Sequence, residues 1–400
     1  HKEYRRQRQM CIRDRFNTAE LILLSAAGVL LIVQLIYYLG LYNRIHTHNL
    51  AVGKDEVHFG RELPPLSVVI CARNESENLR RNLPAILKQD YPDFEVIVIN
   101  DGSTDESEDL LSELEEEYPN LYHSFTPDSA RYISRKKLAL TLGIKASKYD
   151  WLVFTEADCT PVSDKWLRRI ARNFTPSTDI VLGYSGYERG KGWLHKRVSF
   201  DSLFTSLRYL GFALAGKPYM GIGRNLAYRK ELFFKVKGFS THLNMQRGED
   251  DLFINQIANE NNTRVETSPD SVIRMQPVER YKDWKEEKVS YMATARFYKG
   301  SQRWLLGLET ATRLLFYVAC LSGIVFGILS FHWLAAGLAL LLWIVRYSAQ
   351  AYVINKTANE MGDNRSYYFT LPVFDIIRPL QSLKFRLYRL YRRKGDFMRR

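Results

Sequence analysis

Glu156 and Asp158, separated by a single residue, follow directly on the apolar run Trp151–Thr155. Carboxylates spaced two apart at a strand end can hold a divalent cation, and a cation can neutralise a departing diphosphate. Other polar groups fall at comparable places. Asn74 and Glu75 follow the run Leu66–Ala72, Asp101 follows Phe94–Ile99, and Arg135, Lys136 and Lys137 open a helical stretch. Together they describe a site for a nucleotide diphosphate. Two other phosphate-binding patterns are missing. The turn CARNESEN holds no glycine, so there is no Gly-x-Gly-x-x-Gly dinucleotide fingerprint, and no Gly-Lys-Ser/Thr phosphate loop occurs anywhere.

The elements that must position these groups alternate between β-rich and helical runs from about residue 64 to residue 300. LSVVICA at Leu66–Ala72 is continuously apolar and β-branched, as in a strand buried on both faces. Leu79, Leu83, Ile86 and Leu87 mark a helix after it. Strands are expected at Phe94–Ile99, Leu121–Phe125 and Trp151–Thr155, with helices over Glu106–Glu117 and Ser134–Lys148. Alternation of this kind gives an α/β fold, a mostly parallel sheet with helices on both faces, whose ligands bind at the carboxyl ends of the strands.

The chain of 400 residues carries 57 Lys+Arg against 44 Asp+Glu, a net charge of +13, but the excess is not spread out. Residues 1–15 hold +4 and residues 384–400 hold +7, leaving the middle near neutral. Basic ends beside apolar segments read as membrane-surface anchors, and no nucleic-acid partner is expected. Cysteines 11, 71, 159 and 320 stand singly with no Cys-x-x-Cys pair, which excludes a disulfide framework or a zinc knuckle and suits a reducing compartment.

Three apolar runs are long enough to span a bilayer: Ala19–Leu41, Leu314–Phe331 and Trp333–Ile354, the last two forming a hairpin closed at His332. Arg346 and Gln350 fall near the end of the third, where a long side chain can reach the headgroups. Tyr367–Leu380 contains Pro372, Asp375, Arg378 and Pro379 and reads as an interfacial helix. The expected organisation is a basic arm or artefact at 1–15, a span at 16–43, a catalytic domain at 64–300, a hairpin at 311–354, and an interfacial helix with a basic tail at 366–400. With three spans, the positive-inside rule places the domain and tail on the cytoplasmic side.

In order, SVVICARNESENL, VIVINDGSTD, RKKLALTLGIKAS, WLVFTEADCTP, GIGRNLAYRK and GEDDLFINQ resemble the motifs of membrane-bound bacterial family 2 glycosyltransferases of the GT-A fold, over residues 66–300. The resemblance implies an inner-membrane enzyme that takes a nucleotide-sugar donor, usually a UDP-sugar, and a lipid or glycan acceptor among membrane lipids, with Mg²⁺ or Mn²⁺. Ala72, Arg73, Asn74 and Glu75 would line the nucleoside pocket, with Asp101 on the base. Lys137, or a neighbour in Arg135–Lys137, would meet the phosphates. Asp158 would bind the metal, and Glu156 stands where the family more often has Asp. Gly221-Ile-Gly223-Arg224-Asn225 would form the acceptor loop. Gly248-Glu249-Asp250-Asp251 matches the acidic motif that supplies the general base, Asp250 in the usual register with Asp251 as the alternative. The family's processive synthases carry Gln-x-x-Arg-Trp before the next span. This chain offers Gln302-Arg303-Trp304 or a degenerate Glu287-x-x-Ser290, and two helices follow, so transfer of one or a few sugars is expected over polymer extrusion. The competing classes are a processive polysaccharide synthase, a sugar-nucleotide pyrophosphorylase, and an inactive subunit that binds nucleotide sugar as a scaffold.

Overall fold

The computed structural model describes residues 16–127, 134–243, 245–363 and 365–391. The basic arm at 1–15 and the tail beyond 391 lie outside the described residues. The chain divides into two compact units. One, the α/β unit, comprises residues 44–302, 357–365 and those from 384 onward. The other, a helical unit, comprises residues up to 43, 303–356 and 366–383.

The α/β unit is built on ten strands: β1 (Leu66–Ala72), β2 (Phe94–Asn100), β3 (Leu121–Phe125), β4 (Trp151–Glu156), β5 (Cys159–Pro161), β6 (Ile180–Gly183), β7 (Ser185–Tyr187), β8 (Leu226–Arg229), β9 (Thr263–Glu266) and β10 (Ile273–Met275). Seven make one sheet in the order β3-β2-β1-β4-β8-β6-β9. β8 runs antiparallel to both neighbours and every other pairing in this sheet is parallel. β5, β10 and β7 form a second, three-stranded sheet. Both faces of β1, β2 and β4 are covered, which is why their sequences are mostly apolar, the buried Ser67 and Glu95 being hydrogen-bonded to each other across β1 and β2. One core cluster runs from Leu66, Val68 and Ile70 through Val96, Val98 and Val153 to Trp166, Leu167 and Ile170, and a smaller one of Ile97, Ile99 and Ala139 lies against the helix Arg135–Ala146.

Register fixes where the chemistry can sit. Ala72 pairs with Asn100, and Cys71 with Glu156, so β1, β2 and β4 end side by side. The residues after them, Arg73–Glu75, Asp101 and Asp158, are therefore delivered to one edge of the sheet.

The helical unit contains the stretch Thr18–Leu35, continued by a π-helical segment Ile36–Tyr42, and most of Gln302–Leu329, Trp333–Glu360 and Leu371–Tyr391. Among the described residues, three helical stretches are long and apolar enough to cross a membrane: Thr18–Gly53, Gln302–Leu329 and Trp333–Glu360. Gly327 lets the hairpin close, because a Cβ there would come within 2.7 Å of the Ala336 nitrogen.

Arg346 and Gln350 correct the expectation that they reach outward. Arg346 is 1% exposed; its guanidinium binds Asp375 at 2.7 Å and Gln34 at 3.0 Å, while Gln350 donates to Tyr38 at 2.9 Å. Asp375 is wholly buried, paired also with Arg313, which in turn binds Glu309. The charge that argued for an interfacial helix is thus neutralised inside the helical unit. Charges removed from water are tolerated only when paired in this way, so the arginine turns inward to Asp375 instead of to solvent.

Candidate active site

At the sheet edge the loops after β1 and β2 are stitched together by Asn74. Its backbone is left-handed (φ 54°), a conformation asparagine tolerates better than most residues. Its side-chain oxygen accepts from the Thr104 N–H at 2.7 Å, and its own N–H donates to Ser103 Oγ at 2.9 Å. The Ala72 carbonyl accepts from the Asp101 N–H at 2.8 Å, Arg73 is exposed and Glu75 is half-buried. Burial, outweighing the hydrogen bond from Asn78, pushes the Glu75 carboxyl above its ordinary value.

Three consecutive residues of the helix Arg135–Ala146 go to three different places. Arg135 Nε donates to Asp101 Oδ1 at 3.0 Å, where Thr126 Oγ1 also donates at 2.8 Å. Lys136 binds Glu156 at 2.5 Å and Glu249 at 3.1 Å. Lys137 corrects the expectation of a phosphate contact. It is fully buried, and its ammonium donates to the carbonyls of His242, Met245 and Arg247 at 2.6, 2.8 and 3.0 Å. It holds the loop that leads into the acidic segment. Burial lowers its pKa to about 8. Of the basic triplet, Arg135 and Lys136 are the members that reach the sheet-edge carboxylates.

Lys136, Glu156, Gly223, Glu249 and Asp250 line a common cavity with Cys71 and Thr155. Glu156 is held by two cations, Lys136 on one oxygen and Arg224 Nε at 2.7 Å on the other, and Arg224 continues to Glu287 at 2.7 Å. Burial alone would raise the Glu156 pKa, but these two charges outweigh it and hold the carboxyl far below its usual range. Asp158 is in the opposite position. Burial and the neighbouring Glu156 charge raise its pKa, and the weakly donating Cys159 thiol lies 3.4 Å from its Oδ1. The donor atoms of Glu156, Asp158 and Cys159 lie within 4.8 Å of one another. Cys159 belongs to the core and burial keeps it a thiol, which leaves hard carboxylate oxygens as the donor set. That set fits Mg²⁺ or Mn²⁺, with Asp158 the carboxylate not already held by cations.

The two adjacent aspartates are clearly distinguished. Asp250 precedes the helix Asp251–Ile257 and lines the cavity. Its Oδ1 accepts from the Asp251 N–H at 2.7 Å, and its Oδ2 from the Gly223 N–H at 3.1 Å and the Tyr291 hydroxyl at 3.4 Å. Asp251 is wholly buried; Thr294 and Tyr298 donate to its Oδ2 and the Leu252 N–H to its Oδ1. Burial and the Asp250 charge push Asp251 up to about 7. It is a packed, satisfied group that does not line the cavity, whereas Asp250 does. Burial and Glu249 raise Asp250 as well.

In the glycine-rich segment, a Cβ on Gly223 would stand 3.6 Å from the Asp250 Cβ, in the space beside the carboxylate. Asn225 corrects the acceptor assignment. It is buried, its amide nitrogen donates to the Tyr184 and Ser271 carbonyls, and its oxygen accepts from the Trp166 indole. It ties β8 to its surroundings and is not available to a substrate. Arg303 and the 76% exposed Trp304 lie in the first turn of Gln302–Leu329, in the helical unit. Sequence reasoning missed Tyr291, Thr294 and Tyr298. The signal was there in part: Glu287, Tyr291 and Thr294 are four and three residues apart, one face of the helix Tyr281–Thr294.

The chain has the GT-A glycosyltransferase fold, with a seven-stranded, mostly parallel sheet and polar groups gathered at the carboxyl ends of β1, β2 and β4. Residues 67–236 match the family described as Glycosyl transferase family 2. The relative named "Probable glycosyltransferase YdaM" from Bacillus subtilis is 26% identical over 234 residues, 56% of this chain and 54% of its own length. A poly-beta-1,6-N-acetyl-D-glucosamine synthase of Staphylococcus epidermidis is 28% identical over 127 residues, 32% of this chain and 29% of its own. The chain thus spans about half the length of the first relative and less than a third of the second. In structure it is similar to a mannosyltransferase, PcManGT from Pyrobaculum calidifontis, solved with GDP-Man and Mn²⁺. The TM-score is 0.56 at 18% identity, over 93% of this chain and 99% of the other, which establishes the fold.

Proposed function

We propose that the protein is a membrane-anchored, inverting glycosyltransferase that moves a sugar from a nucleotide diphosphate sugar, in the first instance a UDP-sugar, to a lipid or lipid-linked glycan. The observation that carries this reading is the single cavity that collects Asp250, Glu249 and Gly223 on one side and the cation-paired Glu156 on the other. Asp250 takes the proton from the acceptor hydroxyl as that oxygen bonds to the anomeric carbon from the face opposite the diphosphate. The bond from that carbon to the diphosphate breaks and its electron pair leaves with the diphosphate. Lys136 and Arg224 supply fixed positive charge where the leaving group gains negative charge. A divalent cation held by Asp158 would add to that charge. Ala72–Glu75 and Asp101, at the ends of β1 and β2, face the nucleoside in this reading.

The helices Thr18–Gly53, Gln302–Leu329 and Trp333–Glu360 support anchoring in a bilayer. The +7 charge of residues 384–400 supports a cytoplasmic face of a bacterial inner membrane, where nucleotide sugars are made, and contact with its anionic lipids. The polysaccharide-synthase relative makes polymer formation the second reading, separable by product length. The test is a screen of the purified full chain with UDP- and GDP-sugars in Mg²⁺, Mn²⁺ or chelator, following nucleoside diphosphate release. Metal-dependent release from at least one donor is expected. No release from any donor, with lipid extract present as acceptor, would contradict the reading.

A further inference from the structure

The helix Tyr281–Thr294 turns one face toward the acidic segment. From that face Glu287 binds Arg224, Tyr291 reaches Asp250 Oδ2 at 3.4 Å, and Thr294 donates to Asp251. An ionised carboxylate offers about four lone-pair positions. On Asp250, the Gly223 N–H and the Tyr291 hydroxyl take those of Oδ2, and the Asp251 N–H takes one of Oδ1. The position left for a substrate hydroxyl is on Oδ1.

We propose that Tyr291 is a positioning residue for the reaction: its hydroxyl occupies Oδ2 of Asp250, making Oδ1 the atom that receives the acceptor proton, and favours the ionised carboxylate. This role rests on Asp250 being the base. Geometry gives the hydroxyl a function apart from packing, because the Tyr291 ring is held independently, with the Arg247 guanidinium 5.6 Å from its centroid. Burial and the Asp250 charge push the Tyr291 phenol upward, so it remains a donor across the working pH range. The other charged and titratable groups around Asp250 stay in place when the hydroxyl is removed. They are Glu249 and Asp251 in its own segment, Lys136 and Lys137 from Arg135–Ala146, Tyr209 from Trp193–Leu214, and Tyr298. A hydrogen bond to the charged form lowers a carboxyl pKa, so its loss raises the pKa of Asp250.

The experiment compares wild type, Tyr291→Phe and Asp250→Asn as full chains in detergent, with UDP-N-acetylglucosamine and GDP-mannose as donor probes and nucleoside diphosphate release as the readout. Tyr291→Phe is expected to lower kcat about tenfold and leave the donor KM within about twofold. It should also move the acid limb of kcat/KM to higher pH by roughly one unit. Lower turnover with an unmoved acid limb would mean a packing role only and would overturn the proposal. Wild-type kinetics in Tyr291→Phe beside an inactive Asp250→Asn would overturn the role of Tyr291 alone. A fully active Asp250→Asn would overturn the base assignment, and this role with it.

Discussion

Asp250 and Asp251 are chemically identical and adjacent, and their environments give them different work. Asp250 lines the cavity, whereas Asp251 spends its oxygens on Thr294, Tyr298 and the Leu252 N–H. Sequence could not decide the register because a double aspartate reads the same in either frame. What distinguishes the two in the fold is the turn into Asp251–Ile257 and two hydroxyls from 43 and 47 residues away, and these support Asp250 as the proposed base. The pKa of Asp251, about 7, makes a testable consequence. Its folded pKa lies above the unfolded carboxyl value near 4, so the folded chain binds more protons between those values. From this group, stability falls as pH rises from about 4 to about 7. Asp251→Asn removes that dependence. Its melting temperature relative to wild type is expected to rise between pH 5 and pH 8, in parallel thermal scans; a constant difference would contradict the assignment.

At the scale of elements, the strands β1, β2 and β4 were legible because strands buried on both faces are dominated by apolar, largely β-branched residues, with few polar positions to confuse their limits. The residues they deliver were legible with them, since Asp101 and Asp158 simply follow strand ends. Side-chain direction was not. The start of Arg135–Ala146 shows why: three basic residues in a row look alike in sequence, but successive helix positions are about 100° apart and point to three targets. Lys137 therefore braces the loop before the acidic segment, and Lys136 faces the cavity. Lys137→Met strips the donor from three carbonyls and is expected to cost on the order of 3 kcal/mol of stability in denaturant unfolding, with UDP affinity by calorimetry nearly unchanged. Retained stability with lost UDP affinity would return Lys137 to the phosphates. Asn225 was misread for the same reason, a conspicuous polar residue beside a glycine-rich turn whose amide is wholly spent on backbone and indole.

For the whole molecule, hydropathy located the helical unit but not what holds it together. Arg313, Arg346 and Asp375 come from three separate helices, and no periodicity in one helix announces a partner in another. Asp375→Leu leaves the Arg346 guanidinium without its carboxylate, and is expected to destabilise the full chain by about 3–5 kcal/mol in detergent. A melting temperature equal to wild type would show that the pair is not formed. The two units bear on function only if the α/β unit transfers sugar, and that claim turns on Asp250. The most direct measurement is therefore Asp250→Asn, with nucleoside diphosphate affinity by calorimetry and donor turnover measured on one preparation. Affinity close to wild type with turnover lowered on the order of 10²-fold or more is the expected result, since general-base catalysis typically contributes 10²–10⁴. Full turnover in Asp250→Asn, or its loss in Asp251→Asn alone, would contradict the account.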